Sequence, residues 1–230
     1  IALNQTSIYA ESGGQVGDRG TFQSKSAEGS ILDCKKSGKV FMHLIKLDKG
    51  SLKIDDKIEV KVNIEKREKT EAHHSATHLV HAALKRVLGD QVKQKGSLVD
   101  EHKLRFDFSH DESLSDDEIS KIEDLVNQEI LKNSSVSTKI MDLEDAKNSG
   151  AESLFGEKYE DQVRVLSIGE DDFSLELCGG THISRTGDLG IFIMTSQSSV
   201  ASGVRRIEAL SGPRAQEYLA NLKNQTIPLQ

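Results

Sequence analysis

The feature that most restricts how this chain can fold is a pair of short segments, His74-Ser75-Ala76-Thr77-His78 and Cys178-Gly179-Gly180-Thr181-His182, which lie far apart in the chain yet match chemically. Each carries two metal-ligating side chains at a four-residue spacing. On a helix that spacing sets both imidazoles on one face, one turn apart, where they can share an ion. On a glycine-rich turn it lets a thiolate and an imidazole fold back on one point. Three imidazoles and a thiolate suit zinc better than magnesium or calcium, which prefer oxygen donors. The pattern predicts one Zn2+ held by His74, His78, Cys178 and His182, and so a fold that returns the second segment to the helix of the first. An inert buried Cys178 beside unrelated histidines is the competing reading.

The neighbouring histidines separate from this set by position. His73 points about 100° away around the helix and has Thr77 where a partner would stand. His81 faces the right way and suits the outer layer of the site or the core. Ser75 stands where the zincin motif HExxH carries its catalytic Glu, which disfavours a metalloprotease.

The flanking patterns predict the elements. Ile58, Val60, Val62 and Ile64 alternate as in a half-buried strand over 57–64, and strand-like runs at 21–22, 31–34 and 40–45 are punctuated by Gly29, Gly38 and Gly50. Residues 1–66 thus read as a small antiparallel sheet or β-barrel-like subdomain. A helix over 68–88 is marked by Glu68 and Glu71 near its start, Lys85 and Arg86 near its end, and Gly89 beyond. Ala76, Leu79, Val80, Ala83 and Val87 form its apolar stripe, with His74, His78 and His81 on roughly the opposite ridge. Ser115 and Glu118 form a capping-box pattern before Ile119, Ile122, Val126 and Ile130. Strands are expected at 104–108, 137–141, 163–168, 173–177, 189–195 and 204–209. A closing helix follows Gly212-Pro213, with Ala215, Tyr218, Leu219 and Leu222 as its stripe. Helices and strands do not alternate as βαβ units, so the expected class is α+β with antiparallel sheet: a core over 67–210 built on the zinc-binding helix, and a helix or linker over 211–230 leading toward further domains. The chain opens at Ile1 in a strand-like run, and a piece of a longer protein is expected.

Composition narrows the class. With 230 residues and 36% hydrophobic content the chain can bury a core, and no apolar run approaches the roughly 18–20 residues of a membrane span. Two cysteines in a chain this long make a poor disulfide framework. A soluble cytoplasmic protein without membrane contact is expected. The net charge of -7 argues against non-specific coating of nucleic acid, although basic residues outnumber acidic ones six to three over 85–105. The run Gly13-Gly14-Gln15-Val16-Gly17-Asp18-Arg19-Gly20 lacks both a Walker lysine and a strand-loop-helix context, so neither phosphate-binding fingerprint applies. Tight turns with close backbone approach are one reading of it, a binding loop the other.

Several stretches together resemble a known family: Tyr9-Ala10-Glu11-Ser12-Gly13-Gly14-Gln15-Val16-Gly17-Asp18, the two ligand segments, Gln94-Lys95-Gly96-Ser97-Leu98, Arg105-Phe106-Asp107-Phe108, Leu154-Phe155-Gly156-Glu157-Lys158-Tyr159, and Arg205-Arg206-Ile207-Glu208-Ala209. They resemble the editing domain of alanyl-tRNA synthetase, of bacterial type, and its free-standing AlaX relatives. One departure is His73, where relatives often carry asparagine. The resemblance implies a β-barrel followed by the α+β core shared with the threonyl-tRNA synthetase editing domain. It implies a deacylase, acting on serine or glycine wrongly attached to the 3′ acceptor end of tRNA(Ala), while ATP and alanine would be handled only by parent ligase domains absent from this chain. Thr77, Gln94 and Cys178 are the expected catalytic or substrate-contacting residues, with Gly13, Gly14, Gln15 and Asp18 as a substrate loop. Lys93, Lys95, Arg205 and Arg206 are candidates for tRNA phosphate contacts. A non-catalytic, zinc-stabilised acceptor-end binding module and an AlaX-type protein are the alternatives.

Overall fold

A computed structural model describes residues 1–153 and 159–226. Its architecture is mixed α+β with three antiparallel sheets. Strands β1 (Gly20–Gln23), β2 (Ala27–Ser37), β3 (Val40–Gly50) and β4 (Glu59–Val62) form the first, in the order β3-β2-β1-β4. The long helix α1 (Ile64–Leu88) follows, then β5 (Gln94–Val99), β6 (Leu104–Ser109) and helix α2 (Asp116–Lys132). After β7 (Ser137–Asp142), α3 (Leu143–Asn148), β8 (Gln162–Ile168) and β9 (Ser174–Leu177), the chain runs through β10 (Phe192–Ala201), β11 (Val204–Ser211) and α4 (Pro213–Thr226). The second sheet has the order β10-β11-β6-β5 and the third β7-β8-β9.

Helix α1 organises the rest. Asn63 caps it by accepting a hydrogen bond from the Lys66 amide at 3.1 Å, and Gly89, at φ +109°, ends it. From Ala72 to Leu84 every residue is buried. One side carries Ala76, Leu79, Val80, Ala83 and Leu84 into the main core against Phe106, Phe108, Ile122, Val126 and Ile207. Its other side is polar and equally buried, so each polar group there needs a partner. Thr77 Oγ1 donates to the His73 carbonyl at 2.8 Å, and the His73 ring donates to the Asp100 carbonyl at 2.8 Å. The remaining histidines take partners from distant segments, described below.

Helix α2 begins as the capping box predicts: Glu118 N donates to Ser115 Oγ at 3.3 Å, and Ser115 N to Glu118 Oε2 at 2.8 Å. Three expectations are corrected. The strand over 57–64 shortens to β4, and Ile64, 56% exposed, is the first helical residue, because the Asn63 amide donates back to the Arg19 carbonyl and its side chain starts the helix. The N-terminal sheet does not close: among the described residues no pairing joins β3 to β4, so it is an open sheet over a small core of Ile8, Ala10, Phe22, Ala27, Ile31 and Cys34. The strand expected over 189–195 begins only at Phe192, since Leu189 belongs to a 3-10 turn. Strand β5 and helix α3 carried too little periodicity to be anticipated. In α4, Ala215 is buried, while Leu219 and Leu222 are 40% and 39% exposed. No described helix is long and apolar enough to cross a membrane.

The glycine-rich loop clips the first sheet to the second. Glu11 N bonds the Cys34 carbonyl at 2.9 Å, after which Val16 N donates to Val99 O at 3.0 Å and Val99 N to Gly14 O at 2.8 Å. A Cβ on Gly14 would lie 2.6 Å from Ser97 O, and Gly14 sits at φ +86°, so glycine serves close backbone approach here. Asp18 accepts from the Tyr9 amide at 2.7 Å and pairs with Arg67, which fastens the loop to α1.

Ser115→Ala removes the bonds that Ser115 Oγ makes with the Glu118 amide and carboxylate, and is expected to cost about 1 kcal/mol, seen as a lower urea midpoint at unchanged slope.

Candidate metal centre

His74 and His78 lie one turn apart on α1, where the helix crosses the end of β9. Past Leu177 the chain turns through Cys178, Gly179 and Gly180. Arg164 of β8 holds this turn, donating from Nη1 to the Cys178 carbonyl at 3.2 Å and the Gly180 carbonyl at 2.5 Å. The turn also needs a bare backbone. A Cβ on Gly180 would overlap the His74 ring and lie 2.7 Å from Gln15 Oε1, whereas one on Gly179 would meet nothing within 4 Å.

These elements bring His74, His78, Cys178 and His182 together, with one potential ligand atom from each lying within 4.8 Å of the others. Cys178 Sγ is 3.2 Å from His182 Nε2 and 3.5 Å from His74 Nε2. Bonds of roughly 2.0–2.3 Å to a tetrahedral zinc place neighbouring ligand atoms about 3.3–3.8 Å apart. His78 Nε2 is buried without a hydrogen-bond partner among the described residues. A buried lone pair left unmatched is costly, and a cation at the centre of the cluster satisfies it. The residues therefore fit a zinc ion.

Each imidazole is tethered through its other nitrogen. His74 Nδ1 meets Gln15 Oε1 at 2.7 Å, His78 Nδ1 meets Glu176 Oε2 at 2.8 Å, and His182 Nδ1 meets Ser75 Oγ at 3.2 Å. With oxygen acceptors at Nδ1, the protons reside there and the Nε2 lone pairs face inward, as metal-ligating histidines require. Gln15 is fixed in turn: Oε1 accepts from the Thr181 amide at 3.0 Å, and Nε2 donates to Thr181 Oγ1 at 2.8 Å. His81 lies on the same ridge but outside the cluster, its Nδ1 on Glu176 Oε1 at 3.0 Å.

The electrostatics favour a cation. Burial on its own raises the Cys178 thiol, but His74 and His78, with hydrogen bonds from His182 and His74, outweigh it and hold the sulfur well below the ordinary thiol range. Burial works against a charged His78 as well, yet Glu176 and Cys178 raise its pKa to about 10. Burial and the neighbouring His74 push His182 down to about 3. Positive charge is thus stabilised at the His78 edge of the cluster, between thiolate and carboxylate.

The cluster opens into a cleft of about 530 Å³ lined by His74, His78, Cys178, Thr77, Gln94, Ser97, Tyr9, Lys36 and Gly13, among others. Thr77 and Gln94 both reach it. Gln94 opens β5, and a bulge between Gln94 and Gly96 sets Lys95 out of register. Lys93 and Lys95 are exposed on either side of Gln94. Arg206 is taken up by Asp107 through two hydrogen bonds of 2.7 and 2.8 Å, and Arg205 Nη2 donates to Ser113 Oγ at 2.8 Å. Of the proposed substrate loop, Gly13 lines the cleft. Gln15, 1% exposed, is buried against His74, and Asp18 is committed to Arg67. The expected Leu154-Phe155-Gly156-Glu157-Lys158 stretch lies outside the described residues, while Tyr159 lines the cleft.

Sequence reasoning missed Glu176, Arg164 and Ser75 as partners of the ligand set, and Tyr9 as a cleft wall. Glu176 left a usable signal, a lone acid within the apolar run Leu175-Glu176-Leu177 two residues before Cys178. Tyr9 donates to the Ser12 carbonyl at 3.1 Å, and burial, together with nearby Cys178, pushes its phenol up to about 12, so it stays protonated.

Comparison with known proteins agrees with the geometry. Residues 163–208, which include Cys178 and His182, match the family model described as Threonyl and Alanyl tRNA synthetase second additional domain. Residues 1–66 match tRNA synthetases class II (A). An alanine--tRNA ligase of Pseudomonas fluorescens is 53% identical over 219 residues, which cover 95% of this chain and 25% of that protein. The chain therefore spans about a quarter of the length of this relative.

The two glycines of the turn give a sharp contrast. Gly180→Ala is expected to abolish zinc retention through dialysis while far-UV circular dichroism stays unchanged, and Gly179→Ala to retain one equivalent of metal. Equal metal content in the two variants would contradict the packing described.

Proposed function

Because the chain belongs to the alanyl-tRNA synthetase family and corresponds to its editing region, we propose that it hydrolyses the aminoacyl ester of tRNA(Ala) mischarged with serine or glycine. The observation that carries this reading is the cleft that His74, His78 and Cys178 of the cluster line together with Thr77 and Gln94. It can take a tRNA 3′ end, while ATP and alanine belong to other parts of the parent ligase. The site of action is the cytoplasm.

His74, His78, Cys178 and His182 would hold the zinc. When bound, zinc supplies a Lewis acid and lowers the pKa of a coordinated water to about 7. With all four residues as ligands the ion would be held as in closed structural sites and would support the shape of the cleft; were one of the four loosely held, it would also supply an activated water.

The chain's own residues do the rest. Thr77 spends its proton on the His73 carbonyl, so toward the cleft its oxygen offers only lone pairs. Those accept a hydrogen bond from a serine hydroxyl, and alanine has none to give. Gln94 presents an amide able to hold the ester or the terminal ribose. Lys93 and Lys95 flank it at the surface, where tRNA phosphates would approach, whereas Arg206 is already neutralised by Asp107. Tyr9 and Ser12, joined by a hydrogen bond, line the same cleft.

The closed ligand set also supports a second reading, a zinc-stabilised module that binds the acceptor end without cleaving it. Deacylation of Ser-, Gly- and Ala-tRNA(Ala), measured beside metal content, decides between the two: turnover of the first two with Ala-tRNA(Ala) spared is expected, and tRNA binding without turnover would favour the module. Cys178→Ala is expected to keep the fold and lose deacylation.

Thr77→Val replaces the hydroxyl with a methyl of similar size. The serine-to-alanine ratio of deacylation rates should fall by about tenfold, in line with one lost neutral hydrogen bond of roughly 1 kcal/mol or slightly more. An unaltered ratio would remove Thr77 from selection.

A further inference from the structure

We propose that Glu176 is a positioning residue of the metal centre: its carboxylate, shared between His78 and His81, fixes the tautomer and orientation of His78 and balances the charge of a bound dication. The proposal rests on the zinc reading of the cluster and assigns a role to a residue outside the ligand set.

Glu176 is 4% exposed, and both of its oxygens are engaged. Oε2 accepts from His78 Nδ1 at 2.8 Å, while Oε1 accepts from His81 Nδ1 at 3.0 Å and from Ser174 Oγ at 3.2 Å. The arrangement follows from two periodicities. Along β9 side chains alternate, so Ser174 and Glu176 share a face, and Cys178 continues that phase just past the strand. Along α1, His78 and His81 are three residues apart and so form one ridge. Where strand and helix cross, the thiolate falls opposite the His74–His78 turn and the carboxylate opposite His78–His81.

A structural tie between helix and strand does not need this chemistry. Burying a carboxylate carries a desolvation penalty, which apolar packing would avoid. The geometry supplies what apolar packing cannot. With its proton held by Glu176, His78 turns its Nε2 lone pair inward, and that atom is buried and unpartnered among the described residues. His81 meets the same acceptor through the same nitrogen, its ring resting on Phe106 at 5.2 Å between centroids. It therefore serves as the second donor that pins the carboxylate and is not a fifth ligand. Of the three acceptors that tether the cluster's imidazoles, Gln15 and Ser75 are neutral and Glu176 alone is an acid. Zinc brings two positive charges to a site where the Cys178 thiolate offers one negative. The Glu176 carboxylate, one imidazole away, supplies the other, and the buried centre becomes neutral as a whole.

The test is zinc affinity of the full 230-residue chain by competition with a chromophoric chelator, beside thermal unfolding with and without metal and the absorption spectrum of the cobalt(II)-loaded protein. Glu176→Gln keeps the shape but turns an amide N–H toward one imidazole and removes the charge. Zinc binding about 10- to 100-fold weaker is expected, with a smaller zinc-induced rise in Tm and shifted cobalt bands. Glu176→Asp, which keeps the charge on a shorter arm, should fall between wild type and Gln, and it carries the test if the Gln variant does not fold. Unchanged affinity, or a Tm loss equal in metal-free and zinc-loaded protein, would show that Glu176 merely ties α1 to β9 and would overturn the proposal. Failure of the wild-type chain to bind zinc would instead overturn the zinc reading, and this inference with it.

Discussion

A helix buried on every side but apolar on only one has to draw hydrogen-bond partners from elsewhere in the chain. Between Ala72 and Leu84, α1 buries four histidines together with Ser75 and Thr77. Its own backbone satisfies Thr77, but the imidazoles need acceptors that no neighbouring turn can give. Gln15 comes from the glycine-rich loop, Asp100 from the end of the β5–β6 hairpin, and Glu176 from β9. Much of the tertiary arrangement can be understood as the delivery of these acceptors. The glycine loop docks on β5 to bring Gln15 in, and Arg164 shapes the turn after β9 so that Cys178 and His182 follow.

The same interactions give the centre its shape. Each inward nitrogen is aimed by an outward hydrogen bond, and the three acceptors come from three separate parts of the chain. A small displacement of any of these segments turns a ring. Backbone clearance is equally strict on one side, where Gly180 lies against His74 and Gln15, and absent on the other, at Gly179.

What the sequence revealed and what it hid divide along a physical line. Local signals survived: the Ser115–Glu118 capping box, the alternation of β6 and β8, and the two four-residue spacings that meet in the cluster. Non-local consequences did not. The alternation ending at Ile64 looked like strand because nothing in it registers that Asn63 caps a helix. β5 is polar and bulged, held by pairing with β6 and by the docked loop, so its residues show no period of their own. Gln15 suggested a substrate loop from its glycine company, yet its burial against His74 depends on a contact across the whole domain. The pairing of Arg206 with Asp107, which lies on the adjacent strand, is likewise invisible in the linear order.

The span of chain that closes this centre bears on how the molecule reaches its native state. Gln15 and Thr181 are 166 positions apart, and their two hydrogen bonds join segments made at well-separated times. Contacts at such separation form late, because the intervening chain must already be ordered enough to bring the ends together. During vectorial synthesis the open N-terminal sheet emerges long before its docking partner, and His74 and His78 precede the turn that supplies Cys178 and His182. Closure of the four-residue cluster and docking of the glycine-rich loop therefore belong to the same late step of folding, and a nascent chain halted before that turn holds only half the cluster.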